Sequence, residues 1–281
     1  MPEIAFVNGE FLPLEQAVVP VEDRGFQFAD AVYEVLATYG GRPFELERHL
    51  ARLQRSLDAL HIRYDVVAQG AAQSIAAGIE RAGFLETLIY IQVSRGVAPR
   101  GHEFPAGIAP TVVMTFRECL RPDERLWKCG VRAITSEDQR WGRCDIKSVS
   151  LLPNILAKQE AAAAGAFEVL LIDSAGRVTE GASTSSFCVV GGVLKTAPPG
   201  PHILPGITRE VILELARGLQ IPVREEFSLL GEYLAAEEVL LCGTATEVMP
   251  VVEIDGSTIG CGRPGQLSRR LRTAFQHRAG G

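Results

Sequence analysis

Two strand-like stretches lie near the start of the chain, one a short apolar run and the other an alternation of apolar and polar residues. Ile4–Val7 runs into Asn8-Gly9, and Tyr33-Glu34-Val35-Leu36-Ala37-Thr38-Tyr39 alternates before Gly40-Gly41. Both read as strands closed by tight turns, so this part of the chain is expected to build its sheet from hairpins. Leu46, Leu50, Leu53, Leu57 and Leu60 then recur at helical spacing, and Leu88–Ser94 and Thr111–Phe116 are apolar runs of strand length. Arg121-Pro122-Asp123-Glu124 interrupts the pattern and reads as a linker. Beyond it the pattern restarts with a strand at Val131–Thr135 and a helix through Asn154–Ala164 that stops at Gly165. Strand signals at Val169–Asp173, Phe187–Val190 and Val239–Cys242 alternate with helix signals near Ile207–Leu219 and Gln266–His277. Gly191-Gly192 and Asp255-Gly256 mark hairpins, which predicts a largely antiparallel second sheet. The expected class is α+β, with an N-terminal domain over residues 1–120, a linker at 121–124 and a C-terminal domain over 125–281 that carries Lys147.

The 281 residues, 47% of them apolar, suffice for two cores without staples. Six scattered cysteines show no paired-ligand spacing, so neither zinc nor a disulfide framework is expected. The absence of a basic stretch followed by an apolar run at the start, and of 18 consecutive apolar residues anywhere, adds the expectation of a cytoplasmic protein without a membrane partner. A net charge of -6 with interspersed signs argues against nucleic acid as a partner. Any anionic ligand must therefore be held by local groups.

Only four of the 28 basic residues are lysines. Lys147 lies in Arg140-Trp141-Gly142-Arg143-Cys144-Asp145-Ile146-Lys147-Ser148, between a strand signal and a helix signal, with Ile146, Val149, Leu151 and Leu152 around it. Partial burial there would favour the nucleophilic amine, although a lone lysine reads first as a solvated one. Lys158, beside Gln159 and Glu160, reads as solvated. Thr179-Glu180-Gly181 leads into the hydroxyl-rich turn Ala182-Ser183-Thr184-Ser185-Ser186, where Glu180 would by default be an ordinary strand-end acid. Gly206-Ile207-Thr208 opens an amphipathic stretch and would present free N–H groups to an anion, or Thr208 is simply an N-cap. Gly243-Thr244-Ala245-Thr246 is a second turn of the same kind. At about 100° per residue, Arg52 lies nearer the leucine stripe than Arg48 or Arg55, so it can reach a phosphate in a cleft, with a surface salt bridge as the plainer reading. In the loop Ser94–Pro105, Arg100 and His102 share a side if the chain is extended, which suits a carboxylate clamp as well as it suits a mobile tip. Tyr33 on its strand reads as core.

These blocks together resemble the class IV, or fold type IV, family of pyridoxal phosphate-dependent aminotransferases, and within it the D-amino acid branch. The resemblance rests on Glu22-Asp23-Arg24-Gly25-Phe26-Gln27-Phe28 leading to Tyr33-Glu34-Val35, on Arg100-Gly101-His102, on Arg143–Ser148 with Asn154–Glu160, on Thr179-Glu180-Gly181, and on Gly206-Ile207-Thr208-Arg209. It spans nearly the whole chain. It implies two mixed α/β domains with pyridoxal 5'-phosphate in the cleft between them, held by Lys147 as a Schiff base. Glu180 would pair with the pyridine nitrogen and Leu204 would pack on the ring. Arg52, Ser183, Thr184, the Ile207 and Thr208 amides, the Thr208 and Thr244 hydroxyls and Gly243 would complete the cofactor site. Tyr33, Arg100 and His102 would trap the substrate carboxylate, the last two from the partner subunit of a homodimer. The implied reaction is ping-pong transfer of an amino group from a D-amino acid such as D-alanine to 2-oxoglutarate or pyruvate. A branched-chain L-amino acid aminotransferase, an (R)-amine transaminase, an aminodeoxychorismate lyase and a non-catalytic cofactor-binding protein remain as rivals. Two departures from the family pattern stand out. Ala182 and Ser185 occupy places usually held by serine and asparagine, which implies a weaker grip on the cofactor. Ala29 and Ala31 replace glycines beside Asp30, a change expected to be tolerated if the backbone there needs no positive φ.

Overall fold

In the computed structural model, which describes residues 3–280, the chain divides into two compact units. The first runs up to Leu120 and includes Ile146–Ser150; the second comprises Arg121–Asp145 and everything from Leu151 onward. Each mixes helices with strands, as an α+β chain should.

The first unit contains β1 (Ile4–Val7), β2 (Glu10–Pro13), α1 (Arg24–Phe28), β3 (Ala31–Tyr39), β4 (Arg42–Pro43), α2 (Leu46–Ala59), α3 (Ala71–Ala82), β5 (Thr87–Ser94) and β6 (Thr111–Glu118). Among the described residues its strands form one antiparallel sheet, β2-β1-β6-β5-β3-β4. The leucine stripe becomes α2, and Leu53 and Leu57 bury against Val32, Leu36 and Ile89 from the sheet. α3 approaches β6 so closely at Gly78 that any side chain there would run into the Phe116 ring.

Two expectations change here. Lys147 belongs to the first unit, not the second. The segment Ile146–Ser150 leaves regular structure and attaches to β3 and α2: Tyr33 N–H donates to the Lys147 carbonyl at 2.9 Å, Val149 N–H donates to Ala31 O at 3.1 Å, and Lys147 N–H donates to Ser56 Oγ at 3.2 Å. Ile146 joins the first core, and this pairing outweighs proximity along the chain. Ala29 does take a positive φ, 55°, as the left-handed cap of α1, whereas Ala31 lies in a strand. Without a glycine the reversal costs about 1 kcal/mol.

In the second unit α4 (Glu124–Cys129), β7 (Val131–Glu137), α5 (Leu152–Ala163), β8 (Glu168–Ile172), β9 (Val178–Gly181), β10 (Ser185–Val190), β11 (Val193–Thr196), α6 (Ile207–Gly218), β12 (Val223–Glu225), α7 (Leu230–Leu234), β13 (Glu238–Gly243), β14 (Glu247–Ile254), β15 (Ser257–Thr258) and α8 (Gln266–Gly280) follow in order. Among the described residues the strands form a sheet in the order β12-β11-β10-β13-β14-β7-β8-β9, with β15 on β14. The expected hairpins are present, but β7 runs parallel to both of its neighbours and β12 parallel to β11, so the sheet is mixed. Helix α5 between β7 and β8 supplies the crossover that a parallel pair requires. Residues 121–124 are not a free linker: Arg121 pairs with Glu247 at 3.2 Å and Asp123 caps α4 through Arg125 N–H. Gly243–Thr246 is the β13–β14 hairpin turn rather than a helix start.

Candidate active site

Strand β3 sets its side chains on alternate faces, so Glu34 points with Val32 and Leu36 into the core, while Tyr33 faces the other way and is half-buried. A buried carboxylate needs partners. Helix α2 supplies them along one polar stripe beside its leucines. Arg52 donates from Nε to Glu34 Oε1 at 2.7 Å and from Nη2 to Oε2 at 2.8 Å, and His49 Nδ1 lies 2.7 Å from Oε2. Burial works to raise the Glu34 carboxyl, but the charge and hydrogen bonds of Arg52, with His49, overcome it and hold it at about 2. His49 is pushed below its ordinary value, chiefly by burial, so at neutral pH it is an uncharged partner. Arg52 is thus the buried half of an ion pair, not a surface salt bridge.

One turn further along α2, Ser56 anchors the Lys147 backbone. The Lys147 side chain is half-buried, with Nζ 4.2 Å above the Tyr33 ring, and Tyr33 stacks on Tyr90 at 5.7 Å. Burial pushes the Tyr90 phenol up to about 12, so that ring is neutral beneath the amine's support. Arg100 and His102 are exposed, yet both lie against one ring: Arg100 is 4.4 Å over Phe28 and His102 meets its edge at 5.6 Å.

In the second unit Glu180 sits on β9 and is 5% exposed. Its Oε1 accepts from Arg140 Nη1 and, at 3.0 Å, from Leu204 N–H, while Oε2 accepts no bond among the described residues. Burial raises the Glu180 carboxyl above its ordinary value, against the pull of Arg140. Arg140 is itself gripped by Asp138, with Nε–Oδ1 at 2.9 Å and Nη2–Oδ2 at 2.8 Å, and Thr179 Oγ1 donates to Asp138 at 2.8 Å.

Three turns meet beside this acid. Ser185 pairs with Cys242, which sets the Ser183–Thr184 turn next to Gly243. Gly206, the N-cap of α6, abuts Ser185 so closely that a Cβ would fall 2.8 Å from Ser185 Oγ. No side chain caps α6; Thr208 is its second residue and buried, not its cap. The hydroxyl protons of Ser183 and Thr184 are already committed: both groups donate to the fully buried Glu168, at 2.7 and 3.2 Å. Lys158 is not merely solvated but donates to Phe167 O at 2.6 Å and pairs with Glu168 at 3.1 Å.

Sequence reasoning singled out Lys147, Glu180, Arg52 and the turns, but not Glu34, His49, Arg140 and Glu168, which the structure places against them or beside them. Glu34 carried a readable signal, an acid at a core-facing position of an alternating strand. Arg140 and Glu168 carried none, because Arg140 meets Glu180 40 positions away and Glu168 meets Ser183 and Thr184 only once β8 and β9 pair.

The model of the family described as "Amino-transferase class IV" matches residues 31–254. A D-alanine aminotransferase from Staphylococcus epidermidis is 39% identical over 272 residues, covering 96% of both chains, and one from Bacillus licheniformis is 39% identical over 270 residues, covering 96% of this chain and 95% of its own. Among solved structures, a branched-chain amino acid aminotransferase from Escherichia coli superposes with a TM-score of 0.93 at 28% identity, covering 100% of this chain and 96% of its own. A branched-chain amino acid aminotransferase from T.th., solved with pyridoxamine 5'-phosphate, gives 0.89 at 28% identity, covering 99% and 95%. No helix of the described residues is long and apolar enough to cross a membrane. With a family model that spans most of its length and relatives near two-fifths identity from end to end, this chain belongs to the class IV aminotransferases and has their two-domain α+β fold.

Proposed function

We propose that the chain moves the amino group of a D-amino acid such as D-alanine to a 2-oxo acid, 2-oxoglutarate or pyruvate, with pyridoxal 5'-phosphate as its cofactor. The donor set fits that group. An amine half-buried over an aromatic ring suits its aldehyde, a buried carboxylate with one oxygen unbonded suits its pyridine nitrogen, and an uncapped helix start opened by a glycine beside Ser185 suits its phosphate. When bound, the cofactor supplies an electron sink for the bond breaking at the substrate α-carbon and a store for nitrogen between half-reactions.

The chain's own groups do the rest. Lys147 Nζ would hold the cofactor covalently and, as a free amine, would move the proton of the substrate α-carbon. Glu180 would hold the pyridine nitrogen, and Arg140 keeps the carboxylate in place through Oε1 while opposing the upward pull of burial on it. Leu204 would help hold the cofactor's ring, and its N–H steadies Glu180. The Ile207 and Thr208 amides at the start of α6, the Thr208 and Thr244 hydroxyls and the turn at Gly243 take the phosphate, with Arg52 adding positive charge oriented by Glu34. Tyr33, Arg100 and His102 bind the substrate carboxylate, Arg100 and His102 serving the other subunit of a homodimer.

The observation that carries the choice of substrate is the pairing of Arg100 with His102 on Phe28, two carboxylate donors presented together in a chain 39% identical to D-alanine aminotransferases. A branched-chain L-amino acid is the second reading, favoured by the superposition on the Escherichia coli enzyme. Single-turnover spectroscopy separates them. D-alanine, and not L-leucine, should abolish the visible absorption of the loaded enzyme, and 2-oxoglutarate should restore it; the opposite preference moves the protein to the second reading.

A further inference from the structure

Arg24 and Asp30 lie outside every role assigned above, yet both are tied to the loop that carries Arg100 and His102. Arg24, in the first turn of α1, is 4% exposed. Its Nε donates to Asp30 Oδ2 at 2.8 Å, Nη1 to Gly101 O at 2.6 Å and Nη2 to His102 O at 3.4 Å. The same guanidinium lies 5.0 Å from the Phe28 ring against which Arg100 and His102 rest. Asp30 also holds Arg95 at the root of the loop, through Nε at 2.7 Å and Nη2 at 2.9 Å, and Arg95 lies 3.6 Å over Phe104 further along it. The stem is fixed as well. Arg24 N–H donates to Gly96 O at 2.9 Å, and Gly96, at φ 116°, presses so closely on the Ala109 carbonyl that only glycine fits. One carboxylate thus clamps two arginines that hold the loop at its root and at its working end. Burial works to raise the Asp30 carboxyl, and Arg95 and Arg24 hold it below its ordinary value, so the clamp stays charged at neutral pH.

We propose that Arg24, clamped by Asp30, is a positioning residue that fixes the backbone between Arg100 and His102 and so sets the geometry with which the pair meets a substrate carboxylate. The proposal rests on the role given above to Arg100 and His102. It follows from the bonds made: Arg24 grips main-chain carbonyls, not side chains, and leaves both substrate-directed groups free to act. The planar fork reaches Asp30 and two carbonyls from three separate nitrogens, whereas a lysine's three donors all sit on one atom and cannot span them. Ala29, in its left-handed conformation, turns the chain so that Asp30 lies within reach of both arginines.

The test uses the loaded enzyme with Arg24→Lys and Arg24→Met, the lysine variant keeping a cation beside Asp30 should the methionine variant fail to fold. Amide hydrogen exchange at Arg95 and Ala98, whose N–H groups donate to Asp30 O and Glu22 O, should rise about tenfold or more while α2 and β3 are unchanged, and KM for D-alanine should rise about tenfold with kcat held within about twofold. Exchange at parental rates in the lysine variant overturns the clamp. Faster exchange with an unchanged KM overturns its role in positioning. If D-alanine is no substrate of the parent enzyme, the substrate reading has failed, and the exchange data still decide whether Arg24 fixes the loop.

Discussion

Replacing Glu34 with glutamine tests the central polar feature of the first unit. Glu34 is fully buried, and its carboxyl is held at about 2 against an ordinary 4.5. At about 1.4 kcal/mol per pH unit, that gap corresponds to about 3 kcal/mol. Because the folded value is depressed, the contribution is complete above about pH 4.5 and is lost as pH falls toward 2. Glutamine removes it and leaves the Arg52 charge buried without a counter-charge, a loss of about 3–5 kcal/mol for a broken buried pair. The two routes agree. Native-state hydrogen exchange reads the effect locally: at pH 7 the slowest amides of α2 and β3 should exchange about a hundredfold faster in Glu34→Gln, with the second unit's sheet unaffected. The variant should also lose the part of the parent's acid sensitivity below about pH 4.5 that belongs to this group. An effect under about 1 kcal/mol at pH 7, or an unchanged pH dependence, would show that the pair contributes nothing net and that packing alone holds α2 on β3.

Three further outcomes follow from particular contacts. Leu57→Ala, at a fully buried position, should cost about 2–5 kcal/mol in urea denaturation; a loss under about 1 kcal/mol would mean that the core collapses around the gap. Glu168→Gln removes the charge that Ser183, Thr184 and Lys158 share, and should cost about 1–3 kcal/mol and speed cofactor release measured by gel filtration. Release at the parental rate would detach that turn from the cofactor site. Burial pushes the thiols of Cys188 and Cys144 up to about 11 and that of Cys242 up to about 12, whereas Cys129 and Cys261 are exposed. At about pH 8 a chromogenic thiol reagent should therefore modify Cys129 and Cys261 first and reach Cys188 and Cys242 only on unfolding; peptide mapping that finds either buried thiol labelled early contradicts the packing.

Much of this protein is legible in the sequence because the signals involved are local. The leucine stripe of α2, the Asn8-Gly9, Gly191-Gly192 and Asp255-Gly256 turns, and the apolar runs of β5 and β6 each express the period of one element, and each appears where its pattern puts it. The motifs around Lys147, Glu180 and Gly206 likewise identify the family without any fold. What the tertiary structure alone decided is which buried polar group meets which partner. Glu34 and Arg52 are separated by 18 positions, Glu180 and Arg140 by 40, and Arg24 and Gly101 by 77, and no periodicity spans such distances. Lys147 joins the first unit because its backbone finds Tyr33 and Ser56, and β8 runs parallel to β7 because α5 carries the chain back across the sheet. Hydrophobic patterning selects the face of an element that is buried. The cost of leaving a buried charge or amide unpaired then selects, among the arrangements that bury those faces, the one in which nearly every such group is met.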